Sequence, residues 1–142
     1  MFPDSLADRA SDDAAVRRVA RIMVVDDEPD TVITLLELLR SEGYDAEGFG
    51  SGKAALDKLA EFDPDVLISD IAMPNLTGWD VARAVRAKMG ERRPVLIAIS
   101  GQYTQGSDKV LAQLKGFNYY LVKPCDPKTL LSLIGPLAAN LG

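Results

Sequence analysis

Apolar and polar positions alternate along this chain on two different periods, and the switching between them lays out its elements. Ile22-Met23-Val24-Val25, Val66-Leu67-Ile68 and Val95-Leu96-Ile97-Ala98-Ile99 are short unbroken apolar runs, the pattern of strands buried on both faces. Each stops abruptly at polar residues: Asp26-Asp27, Ser69-Asp70 and Ser100. Tyr44 to Phe49 instead alternates apolar residues with Asp45 and Glu47, as an edge strand does when its charges discourage further pairing. A fifth strand, Tyr119-Tyr120-Leu121-Val122, ends at Lys123-Pro124, and its two tyrosines point to opposite faces.

Between the strands the spacing turns helical. Val32, Leu35, Leu36 and Leu39 predict an amphipathic helix that opens at Pro29 and ends near Gly43. Leu56 and Leu59 mark a short helix from Ser51 to about Ala60, and Val81, Val85 and Met89 line a third. That third helix begins at Thr77-Gly78-Trp79-Asp80, which reads as a capping box with Thr77 as N-cap. Val110, Leu111 and Leu114 predict a fourth helix stopped by Gly116. In the last, Leu130, Leu133, Ile134 and Leu137 follow Asp126 as N-cap and Pro127 as first residue.

Five strands alternating with five helices predict an α/β fold: a flavodoxin-like, doubly wound, five-stranded parallel sheet in the order 2-1-3-4-5. In that order the first and third strands flank one crevice at their carboxyl ends, so Asp26 and Asp27 become neighbours of Asp70. Residues 1–20, acidic, alanine-rich and weakly periodic, are expected to be an N-terminal extension, with a single domain over 21–142.

Composition narrows the function. With 47% hydrophobic and 26% charged residues the chain is ordinary globular protein, and its net charge of −5 argues against direct nucleic-acid binding. It contains no histidine, which removes imidazole acid–base catalysis, histidine metal sites and phosphohistidine from its own repertoire. The single cysteine, Cys125, excludes an internal disulfide and reads as a small buried hydrophobe. No signal peptide and no apolar run long enough to span a membrane are seen, so a cytoplasmic protein without membrane insertion is expected.

Three carboxylates in one crevice repel each other unless a cation neutralises them, and Mg2+, a hard ion with oxygen ligands, is the natural candidate. Ser100 adds a hydroxyl able to donate to a phosphoryl oxygen, and Lys123 a mobile point charge suited to phosphate. Singly, Asp70 reads as a turn acid, Asp26 and Asp27 as solvated acids and Lys123 as a surface lysine. Together they describe a phosphoryl-transfer site with a carboxylate nucleophile.

Asp26-Asp27, Asp70, Ser100 and Lys123-Pro124, each at a strand end and in this order, resemble the response-regulator receiver domains of two-component signal transduction, of the stand-alone single-domain type. The resemblance covers residues 21 to about 138. It implies that Asp70 is the phosphoacceptor for a histidine kinase or histidine phosphotransfer protein. It also implies that Asp26, Asp27, Asp70 and the backbone carbonyl of Ala72 bind Mg2+. Ser100 and Lys123 would complete the catalytic set, Ser100 and Tyr120 would form the switch, and the Lys123–Pro124 peptide would be cis. Such a protein is not an enzyme beyond its own aspartyl phosphorylation and dephosphorylation. No output domain is expected within the chain, so a separate output protein would receive the signal, and any dimer would form through the fourth helix, fifth strand and fifth helix. Two other readings compete. An aspartyl-phosphate-type phosphatase would need a second acid after the nucleophile, where Asp70-Ile71-Ala72-Met73-Pro74 has none. A receiver-like interaction module that is not phosphorylated would have no need to keep all five polar positions.

Overall fold

The computed structural model describes residues 19–101 and 116–141. Within them run β1 (Arg21–Val25), α1 (Pro29–Ser41), β2 (Asp45–Phe49), α2 (Gly52–Phe62), β3 (Val66–Asp70), α3 (Gly78–Met89), β4 (Val95–Ser100), β5 (Tyr119–Val122) and α4 (Pro127–Ala139). All strand pairs are parallel, and the sheet order is β2-β1-β3-β4-β5, as expected. Four helices fall among the described residues. The helix predicted around Val110, Leu111 and Leu114, and the extension over residues 1–18, lie outside them.

The unbroken apolar runs prove to be two interleaved sets, because successive strand residues face opposite sides of the pleat. Met23, Val25, Leu67, Leu96 and Ala98 pack on one side with Ala55 and Leu59 of α2 and Val81 and Val85 of α3. Ile22, Val24, Val66, Ile68, Ile97 and Ile99 pack on the other with Leu39 of α1 and Leu130 and Ile134 of α4. Both faces are covered, as parallel sheets require. Among the described residues no helix is long and apolar enough to cross a membrane.

Side-chain caps open α2, α3 and α4. Ser51 caps α2 by accepting from the Ala54 amide, so the helix starts one residue later than expected and runs two residues further, to Phe62. Thr77 and Asp80 form a complete capping box on α3, and Asp126 caps α4, with Pro127 in its first turn.

Far from the polar strand ends, at the amino ends of the strands, sits a buried tie that local patterns do not disclose. The Asp65 carboxylate accepts from the Arg21 amide at 2.8 Å and from the Arg93 guanidinium at 2.9 Å, while Arg93 also reaches Asp63 at 3.2 Å. One buried acid thus holds the starts of β1, β3 and β4 together, and its charge is both paired and hydrogen-bonded, as burial demands.

Candidate functional site

Asp26, Asp70 and Ser100 are brought to one end of the sheet because β1, β3 and β4 are parallel and end in polar residues. Asp26 follows β1; its amide continues the ladder to Phe49 O at 3.1 Å, and its Oδ1 accepts from the Glu28 amide at 3.0 Å. The side chain is thereby aimed across the crevice while the backbone turns into α1. Asp27, the next residue, is exposed at the rim.

Asp70 ends β3, and the chain behind it is tightly folded. Ala72 N donates to Asp70 Oδ1 at 3.3 Å, Met73 N to Ile71 O at 3.1 Å and Gly78 N to Ile71 O at 2.8 Å. The start of α3 lies so close to this backbone that a Cβ at residue 78 would stand 2.7 Å from Ile71 Cα and would also collide with the Asp70 carbonyl. Only glycine fits there, a positioning role that the capping-box pattern of Thr77-Gly78-Trp79-Asp80 does not reveal.

Lys123 joins the acids. Its Nζ donates to Asp26 Oδ2 at 2.9 Å and to Asp70 Oδ2 at 3.3 Å, and its amide donates to Ser100 O at 3.1 Å, which anchors the end of β5 to the end of β4. The Lys123–Pro124 peptide is cis, as is Arg93–Pro94. Ser100 is fully buried beside this junction. Cys125 is half-buried against the α1/α4 layer, and burial followed by the neighbouring Asp126 pushes its thiol upward, which suits a packing residue.

The electrostatics follow from burial and like charge. Asp70 is pushed above the ordinary carboxyl range, first by burial and then by the Asp26 charge, against the opposing pull of Lys123. Burial works against the charged Lys123, but its bonds to Asp26 and Asp70 outweigh that and raise it. Carboxylate oxygens of Asp26, Asp27 and Asp70 all lie within 4.8 Å of one another. Three hard oxygen donors at this separation, with repulsion only partly relieved by one ammonium, fit a small divalent cation. Ala72, expected to contribute its carbonyl, stands two residues beyond Asp70 and touches it through its amide.

Tyr119 and Tyr120 separate onto opposite faces as expected: Tyr119 is exposed, whereas Tyr120 packs against the α2/α3 layer with its hydroxyl buried. Tyr120 therefore already lies inward. Trp79 is a packing residue, edge-on to Phe117 at 6.0 Å between ring centroids.

The model of the response regulator receiver domain family matches residues 22–135. The DNA-binding response regulator MtrA of Mycolicibacterium smegmatis is 37% identical over 114 residues, which cover 80% of this chain and 48% of that protein. The chain thus spans about half the length of the DNA-binding regulators it matches. Protein PilH of Pseudomonas aeruginosa is 35% identical over 125 residues, 86% of this chain and 100% of PilH. Among solved structures, the chemotaxis protein CheY4 of Vibrio cholerae superposes with a TM-score of 0.78 at 29% identity, covering 84% of this chain and 99% of that one. A response regulator receiver domain protein from Clostridium thermocellum gives 0.76 at 27% identity over 85% and 95%. Sheet order, strand-end residues and sequence likeness agree, and the chain belongs to the response-regulator receiver family.

Proposed function

We propose that this protein is a phosphoacceptor that takes a phosphoryl group onto Asp70 from a phosphohistidine on a histidine kinase or histidine phosphotransfer protein. The observation that carries this reading is the Lys123 ammonium lodged between Asp26 and Asp70 at 2.9 and 3.3 Å, with a third carboxylate beside them. Asp70 supplies the nucleophilic oxygen. Its O–P bond forms as the donor's P–N bond breaks, and the electron pair of that bond stays on the imidazole nitrogen, which the donor reprotonates. Lys123 balances charge on the transferred group, and Ser100 donates its hydroxyl to a phosphoryl oxygen. Asp26, Asp27, Asp70 and the Ala72 carbonyl would hold Mg2+, which supplies positive charge for the phosphoryl oxygens. The missing histidine is consistent with a donor on another molecule. On this reading the chain is a cytoplasmic signalling protein, catalytic only toward its own aspartyl phosphate.

The test is direct. Full-length protein incubated with phosphoryl-labelled acetyl phosphate and Mg2+ should take up one hydroxylamine-sensitive label per chain, and EDTA should prevent it. Absence of label under saturating Mg2+ would sink the phosphoacceptor reading in favour of an unphosphorylated interaction module.

Output would be exerted on a separate partner through the face around β5. Because Tyr120 already packs inward, the switch is read as the phosphoryl group fixing Ser100 and the packed Tyr120 in one arrangement, not as drawing the ring in from solvent. Ser100→Ala is then expected to accept phosphate at Asp70 yet lose most of the chemical-shift response around Tyr120 to the phosphate mimic beryllofluoride. Equal responses in wild type and variant would show that the signal takes another route.

A further inference from the structure

The strand that carries Lys123 is poorly specified by its own sequence. β5 has only four residues, Tyr119-Tyr120-Leu121-Val122, and lies at the sheet edge. All four are apolar or aromatic, so no alternation tells one face from the other. Observed packing nevertheless separates them: Tyr120 joins the α2/α3 layer and Leu121 the α1/α4 layer. A slip of one residue would exchange those faces and turn Lys123 away from Asp26 and Asp70, since side-chain direction in a strand alternates residue by residue.

The missing register information is found at the amino end of β5. Asn118 clips onto Leu96 of β4 twice: its amide donates to Leu96 O at 2.8 Å, and its Oδ1 accepts from Leu96 N at 2.8 Å. Arg86 of α3 donates to the same Oδ1 at 2.8 Å and, through Nη2 and Nε, to Gly116 O at 3.0 and 3.1 Å. Its Nη1 donates to Pro94 O at 2.9 Å and to Gly90 O at 3.3 Å. One planar guanidinium therefore ties α3 to the segments that lead into β4 and into β5, a fork that lysine cannot reproduce. Gly116 has φ +106, a backbone that turns the chain toward this clamp and that favours glycine.

We propose that Arg86 and Asn118 are positioning residues for the phosphoryl-transfer site: by fixing the register of β5 on β4, they deliver Lys123 to Asp26 and Asp70. The inference rests on the phosphoacceptor reading for its consequence in labelling, and on geometry alone for its consequence in the strand.

Two measurements on the full chain separate these. The first is amide hydrogen exchange at Leu121 and Lys123, the latter bonded to Ser100 O. Asn118→Leu is expected to lower protection there by ~10-fold or more while β1 and β3 amides keep theirs, as a local opening does. Asn118→Asp, which keeps both acceptor bonds, is expected to stay near wild type. A uniform fall across all strands, or no fall in β5, would overturn the proposal. The second is the initial labelling rate with acetyl phosphate and Mg2+. Asn118→Leu should slow it ~10-fold, since misplacing a positioned group by about 1 Å costs up to ~100-fold. In a Lys123→Met background the same change should cost less than ~2-fold, because the two residues act through one effect. Equal factors in both backgrounds would show that the clamp does not act through Lys123. Should Asn118→Leu fail to fold, Arg86→Gln is read by the same two criteria. Should wild type take no label, the phosphoacceptor reading falls and hydrogen exchange still decides the clamp.

Discussion

Replacing Asp70 with asparagine is expected to abolish hydroxylamine-sensitive labelling by acetyl phosphate or by a donor kinase while raising the thermal stability of the metal-free protein. An amide has the carboxylate's shape, and its oxygen still accepts from Ala72 N, but it offers no anionic oxygen to attack phosphorus. The stability change follows from the sign of the carboxyl shift. Burial and then the Asp26 charge hold the folded Asp70 above the ordinary range. A carboxyl raised in the folded state stabilises the fold while protonated, and that contribution is lost as pH rises through the folded value. At neutral pH the ionised Asp70 is therefore a net cost, which asparagine removes. The variant should melt above wild type at pH 7 in EDTA, and the difference should shrink as pH falls and Asp70 becomes neutral. Undiminished labelling at saturating Mg2+ would refute the assignment of the nucleophile; a variant melting below wild type at pH 7 would refute the electrostatic account.

Much of the site is legible in the sequence because the features that build it are local. A strand that runs apolar and then stops at Asp70 or Ser100 states its own end, and the order of parallel strands does the rest by placing those ends together. The helix caps at Thr77 and Asp126 are likewise written within four residues of sequence. What stayed hidden is what depends on residues far apart in the chain. Arg93 finds Asp65 across 28 positions and Arg86 finds Gly116 across 30, and neither arginine sits in a pattern that separates it from a solvated one. Gly78 stands inside a capping-box pattern that assigns it no role, although the fit of α3 against Asp70 and Ile71 depends on its lacking a side chain. The register of β5 was hidden for the same reason: Tyr-Tyr-Leu-Val carries no face preference, and its specification lies in Asn118 and in a helix over 30 residues upstream. Strand parity separates Tyr119 from Tyr120, but which of the two faces the α2/α3 layer is settled only by the register that Asn118 sets.

Lys123→Met is expected to slow acetyl-phosphate labelling about 100-fold, the scale of losing one preorganised charge at a developing anion, and to make the fold depend on divalent cation. In the structure Lys123 bonds two carboxylates whose side chains are only 4% and 9% exposed, while its own side chain remains 25% exposed. Removing it leaves Asp26 and Asp70 facing each other inside the crevice without their counter-charge. Taking one partner from a fully buried pair costs roughly 3–5 kcal/mol, and the partial exposure of this lysine brings the expected loss to about 2 kcal/mol in EDTA. Methionine keeps most of the apolar stem, so the deficit measures charge more than packing. A divalent cation held by Asp26, Asp27 and Asp70 would replace that counter-charge, and a ligand that binds only the folded state stabilises it by mass action. Titrating Mg2+ into both proteins should therefore raise the melting temperature of Lys123→Met more than that of wild type, closing most of the gap seen in EDTA. Equal Mg2+-induced shifts would mean that the ammonium and the cation do not answer the same charge, and would remove the electrostatic link between Lys123 and the metal site.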